Sequence, residues 1–97
     1  MRDVVFSPAA VRQFRRLPAA ARSLVKARVA KLLGRQDATE ESRNRFRLRR
    51  PSSHADFELG IDPWRVFYRV ESLQVIVELI GRKQGNRLLV EGREFSL

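Results

Sequence analysis

The apolar residues of this chain change period once. From Ser7 to Leu33 they recur at helical spacing, and from Arg45 onward they alternate, so helices come first and strands follow. A short run at Val4 to Phe6 precedes both and reads as a strand. Ser7 then supplies an oxygen for a free backbone N–H, and Pro8 fits the first helical position because its missing N–H has no partner to lose there. Val11, Phe14 and Leu17 share one face of that helix, and Pro18 ends it. A second helix is expected from Ala19 or Ala20 to Leu33, with Ala21, Leu24, Val25, Arg28, Val29, Leu32 and Leu33 in one stripe and Gly34 as a left-handed stop. Arg35 to Ser42 has no period and reads as a loop.

In the second half, Arg43 to Arg50 reads Arg-Asn-Arg-Phe-Arg-Leu-Arg-Arg. As a strand it would send Phe46 and Leu48 into the core and Arg45, Arg47 and Arg49 out together. A row of like charges is a cost that a polyanion would offset, and the planar guanidinium fork fits phosphate. After a turn at Pro51 to His54 come two runs, Ala55 to Ile61 and Trp64 to Val70, joined through Asp62-Pro63. With Gly60 across from Arg65, one face holds Ala55, Phe57, Leu59, Ile61, Trp64, Val66, Tyr68 and Val70. The other holds Asp56, Glu58, Gly60, Arg65, Phe67 and Arg69, and a displacement of two residues would preserve these faces. Leu73 to Ile80 is a central strand, Gly81 to Arg87 a basic turn, and Leu88 to Phe95 a last hairpin about Glu91-Gly92. The expectation is one α+β domain over residues 1–97, an N-terminal strand and helical hairpin packed on a twisted, mainly antiparallel sheet of four to five strands.

Lys and Arg number 20 against 11 acidic residues, a formal charge of +9 that favours nucleic acid or an acidic partner. There is no cysteine for disulfides or thiolate metal sites. No apolar run approaches the ~20 residues of a membrane span, and the start is too quickly interrupted for a secretory signal, so a soluble cytoplasmic protein with no membrane partner is expected.

Among single residues, His54 is either a proton carrier or a solvated turn residue. Tyr68 reads as core and Trp64 as a half-buried cap on the helix layer. Phe67, between Arg65 and Arg69, is the aromatic placed to stack on a base. Arg65 and Arg69 are either cations that hold a ligand or cross-strand partners of Glu58 and Asp56. For Arg69 the pairing is at least as well founded, whereas Arg65 faces Gly60, which leaves space for a ligand, and is the first choice for function. Arg12, Arg15, Arg22 and Lys26 read as ordinary solvated helix positions.

The order of these pieces resembles the RelE/ParE family of toxins from bacterial type II toxin-antitoxin systems, over essentially the whole chain. Its recurring pieces are Phe6-Ser7-Pro8-Ala9-Ala10 ahead of a helical hairpin, the strand Trp64-Arg65-Val66-Phe67-Tyr68-Arg69-Val70, and Val75-Ile76-Val77-Glu78-Leu79-Ile80-Gly81-Arg82-Lys83. Thr39 to Arg45 and Asn86-Arg87 extend the likeness to some members. The resemblance implies a RelE-like fold and a ribosome-dependent endoribonuclease that cuts messenger RNA. It implies no metal and no cofactor, and a cognate antitoxin that holds the toxin inactive in a hetero-oligomer. The ribose 2′-hydroxyl would attack the adjacent phosphate, which calls for a base, cations and an acid. By position, Arg65 falls on the family's fourth-strand arginine and Lys83, with Arg82, on the basic pair after the fifth. His54 completes the catalytic candidates, and Arg45, Arg47, Arg49, Arg50, Phe67 and Arg87 are the expected RNA-binding set. The chain departs from the family pattern at Asp56 and Glu58, where lysines stand in the best-studied members, and at Leu88 and Leu89, where a tyrosine is missing. A ParE-like gyrase inhibitor and a catalytically silent basic module that binds antitoxin or nucleic acid are the alternatives.

Overall fold

A computed structural model describes the chain from Met1 to Leu97. β1 (Asp3–Phe6) is followed by α1 (Pro8–Arg15) and α2 (Ala19–Val29), which runs on through a π-helical turn, Ala30–Arg35. Then come β2 (Arg45–Arg47), β3 (Phe57–Ile61), β4 (Trp64–Val70), β5 (Gln74–Gln84), β6 (Arg87–Val90) and β7 (Arg93–Glu94). The α+β class holds, but the sheet has seven strands rather than four or five, in the order β2-β3-β4-β5-β6-β7 with β1 parallel to β5. The difference arises at β5, which continues past Ile80 to Gln84. Its first half pairs with β1 and its last residues with β6 on the same edge.

Helix α1 closes the gap between those two partners. Ser7 caps it by accepting from the Ala10 N–H at 3.1 Å, while the Ser7 hydroxyl donates to the Glu78 carbonyl at 3.0 Å. The buried Gln13 side chain accepts from the Ile80 N–H at 2.7 Å. Two side chains thus stand in for a missing strand and satisfy backbone groups that would otherwise be stranded in the interior. The final hairpin turns at Glu91 and Gly92, whose φ of 53° and 79° suit the twist of a tight two-residue connection.

The register of β3 against β4 is as expected, with Gly60 opposite Arg65 and Ile61 opposite Trp64. Leu59, Ile61, Val66 and Tyr68 meet Val25, Val29 and Leu33 of the helix layer in the main core, with Trp64 half-buried against it. Phe57 stacks on Tyr68 with ring centroids 5.2 Å apart, and the Tyr68 hydroxyl donates to the Ala38 carbonyl at 2.8 Å. Burial pushes that hydroxyl's pKa well above the usual tyrosine value, so it remains a donor. Where β5 passes β4, Phe67 pairs with Leu79 and Tyr68 with Val77, which leaves Glu78 as the extra residue of a bulge.

Strand β2 has the opposite phase from the one expected. Its partners across the sheet are Arg45 with Leu59, Phe46 with Glu58 and Arg47 with Phe57, so Arg45 and Arg47 lie on the helix side and Phe46 on the other. Arg45 is only 6% exposed. Its guanidinium donates to the carbonyls of Leu32 at 2.6 Å and Glu40 at 2.8 Å and to the Gln36 side chain at 3.0 Å. It therefore ends the second helix from outside by taking a carbonyl that the helix leaves unpaired. Gly34 is not the left-handed stop, since it lies within the π-helical turn, where a Cβ would come 3.4 Å from the Val4 side chain. Arg45 thus belongs to the scaffold, not to an RNA-gripping row, because its side chain is buried and its donors are already spent on the end of the second helix and the loop after it.

Replacing Arg45 with Ala strips partners from these acceptors and is expected to lower unfolding stability by about 2–4 kcal/mol, whereas Arg49→Ala, at an exposed position, stays within about 0.5 kcal/mol. Urea denaturation of both variants checks this.

Candidate functional site

On the face of the sheet away from the helices, one end is sealed and the other open. At the sealed end Phe67, 2% exposed, packs with Ala55, Leu79 and Val90, and Leu48, Leu88 and Phe95 add their partly buried side chains. Phe67 is therefore unavailable for stacking. The reversed phase of β2 brings Leu48 to this side, and the C-terminal hairpin supplies Val90 and Phe95. The half-buried aromatic left on this face is Phe46, directly across from Glu58.

The open end holds Glu58, Arg65 and Lys83. Arg65 lies beside Gly60, its guanidinium atoms 3.7 to 3.8 Å from where a glycine Cβ would stand, so the space expected for a ligand is taken by the arginine itself. Its side chain, 18% exposed, donates to its neighbour's carbonyl, that of Trp64, at 2.8 Å. It pairs with Asp62 at 2.9 Å and Glu58 at 3.5 Å. Lys83 reaches the same face because Gly81, two residues before it, pairs with Arg65. Lys83 is exposed and has no ion-pair partner. Partial burial raises the pKa of Glu58 above its ordinary 4.5, against the opposing pull of Arg65 and then Lys83. A carboxyl that is easier to protonate than usual, set beside two cations, can exchange a proton with a bound hydroxyl while the cations hold an anion.

The other expected residues lie elsewhere. Arg82 alternates to the helix side, where its guanidinium sits 5.9 Å from the Trp64 ring centre, so the basic pair Arg82-Lys83 is split across the sheet. Arg87 pairs with Gln84 at the tip of the β5–β6 hairpin, again on the side of Arg82. The Arg47 guanidinium sits 4.5 Å over the Phe57 ring. Arg49 and Arg50 lie beyond the end of β2, where with Arg47 they line a hollow of about 250 Å³ at the Pro51 turn. Arg69 meets Asp56 at 3.5 Å, as expected, and also Glu78 at 3.3 Å.

His54 is exposed and sits edge-on to Phe95, with centroids 4.9 Å apart. It lies near Arg69, which donates to the Ser53 carbonyl. Arg69 is four residues from Arg65, roughly 13 Å along the strand, so His54 does not join the Arg65 cluster. It lines the largest cleft, about 760 Å³, where Arg12, Arg16 and Arg93 face Glu78, Glu91 and Glu94. The equal numbers of opposite charges leave little net field for an anion there.

No group of three or more His, Asp or Glu side chains is arranged to hold a metal ion, and no helix is long and apolar enough to cross a membrane. Comparison with protein-family models, with curated proteins and with solved structures finds no match to this chain.

Between pH 4.5 and the raised value for Glu58, the folded chain holds more of that proton than the unfolded chain. The stability this group contributes is therefore full below pH 4.5 and is lost as pH rises through the folded value. Glu58→Gln should remove that decline, and unfolding measured from pH 4 to pH 8 would show it as a flatter curve.

Proposed function

We propose that this protein is the toxin of a type II toxin-antitoxin pair, an endoribonuclease with a RelE-like fold that cuts messenger RNA on the ribosome and is held inactive by a cognate antitoxin. The observation that carries this reading is the cluster of Glu58, Arg65 and Lys83 at the open end of the sheet. In this reading ionised Glu58 takes the proton of the ribose 2′-hydroxyl, and that oxygen attacks the adjacent phosphorus. The bond from phosphorus to the 5′-oxygen breaks, and the Lys83 ammonium gives the leaving oxygen its proton. The products are a 2′,3′-cyclic phosphate and a 5′-hydroxyl. Arg65 holds the phosphorane charge. Asp62, 90% exposed, is the partner that a phosphate would replace on Arg65. Phe46 is the aromatic placed to meet a base.

A second reading, a ParE-like inhibitor of gyrase that acts by protein contact, draws support from the pairing of Arg65 with two carboxylates. Inducing the protein in cells while following transcript ends and chromosome breaks separates the two. Cleaved transcripts with intact DNA support the nuclease, breaks without cleavage support the gyrase reading, and neither leaves a silent binding module.

With purified components, cleavage should rise with pH through the raised Glu58 value and then level off. Glu58→Gln should lower the rate about 10²- to 10⁴-fold and erase that limb. Arg65→Ala should cost about 10²- to 10³-fold and keep it. An unchanged rate in a folded Glu58→Gln protein would remove this residue from the chemistry.

A further inference from the structure

Nearly all of the net charge lies on the helix layer, behind the site just described. Residues 4–36 contain eight basic side chains and no acidic one, leaving 12 basic against 11 acidic residues in the rest of the chain. Arg12 and Arg16 are tied to Glu91, and Arg22 donates to the Leu17 carbonyl at 2.6 Å. The remaining five, Arg15, Lys26, Arg28, Lys31 and Arg35, are exposed, and no carboxylate stands within ion-pairing distance of any of them. Arg28 with Lys31 and Lys31 with Arg35 are like charges three and four residues apart, a spacing at which a single glutamate would have stabilised the helix instead.

We propose that the solvent side of this helical layer is a docking surface for the phosphate backbone of a nucleic-acid duplex, which under the function proposed above would be structured RNA. Three observations choose this partner. From Lys26 to Arg35 the cations follow one helix for roughly 14 Å, a length over which a duplex presents several phosphates. The helices spend their apolar faces on the core, with Leu24, 37% exposed, the large apolar side chain left outside on α2. A protein interface needs a desolvated apolar centre, and a membrane-surface helix needs a free apolar face. The aromatics of α1 and β1, Phe14 and Phe6, are engaged edge to face with each other at 5.6 Å, so no free ring stands ready to stack the bases of a single strand. The duplex backbone needs only cations.

The test is binding of a 20-base-pair RNA duplex, followed by fluorescence anisotropy across a range of salt concentrations. The variant Arg15→Gln/Lys26→Gln/Arg28→Gln/Lys31→Gln/Arg35→Gln removes cations that hold no partner. It should fold at least as well as the parent, bind the duplex at least tenfold more weakly at 100 mM salt, and show a shallower salt slope by roughly 0.9 for each phosphate it no longer neutralises. Lys26→Glu/Lys31→Glu is a second, smaller variant expected to move both quantities the same way. Unchanged affinity and slope in the two variants would overturn the proposal, as would a loss confined to an Arg47→Gln/Arg49→Gln/Arg50→Gln protein. Poly-glutamate competing as well as the duplex, charge for charge, would overturn it in favour of an acidic protein. Because no cleavage is read, a protein that binds the duplex but cuts nothing supports this surface and contradicts the nuclease alone.

Discussion

A buried guanidinium sets the phase of this sheet. Arg45 reaches under the end of the second helix to the carbonyls of Leu32 and Glu40, and a charged group so placed is tolerable only while its donors stay paired. Holding Arg45 on the helix side fixes the alternation of β2, because neighbouring residues of a strand must face opposite ways. Phe46 and Leu48 are then carried to the other face. Leu48 helps to close the second apolar cluster over Phe67, and Phe46 stands beside Glu58. The open end of that face, with Glu58, Arg65 and Lys83, is what the second cluster leaves uncovered.

The excess positive charge and the proposed chemistry lie on different sides of the molecule. The sheet face has few free cations, and its arginines are matched by carboxylates, Arg65 by Glu58 and Asp62 and Arg69 by Asp56 and Glu78. Such matching suits a site where proton positions matter more than long-range attraction. The helix layer has the reverse character, with an unopposed field that draws polyanions from a distance. The proposed division gives the helices the task of holding and the sheet the task of reacting.

Features carried by neighbouring residues were readable from the sequence. Ser7-Pro8 marked the start of α1, Glu91-Gly92 marked the last hairpin, and two alternating runs separated by two residues settled which residues face the helices on β3 and β4. Features decided by tertiary contact were not. The apolar Phe46 and Leu48 of the arginine run point to the phase opposite to the one found, and only the distant helix end, which takes up Arg45, selects the other. The bulge at Glu78 shifts the alternation of β5 by one, so that Ile80 rather than Leu79 joins Val77 on the helix side, without any signal in composition. His54 falls away from Arg65 because its turn is at the far end of β4. Arg15 and Lys26 read as ordinary solvated positions because each is ordinary alone, while Arg28 falls within the expected apolar stripe and Arg35 within the expected loop, and the meaning of the group appears only when the acids are counted and found elsewhere.

The phase of β2 is the claim on which the site rests, and the absence of cysteine makes it directly measurable. Two proteins are prepared, Phe46→Cys/Glu58→Cys and Arg47→Cys/Glu58→Cys, and each is oxidised mildly while folded. Residues directly opposite on one face bring their Cβ atoms near disulfide distance, while neighbours on opposite faces do not. With Phe46 opposite Glu58, the 46–58 pair should cross-link rapidly and the 47–58 pair little. Rapid cross-linking of the 47–58 pair with little of the other would put the arginines on the open face and contradict the arrangement of Glu58, Arg65 and Phe46 on which the proposed chemistry depends.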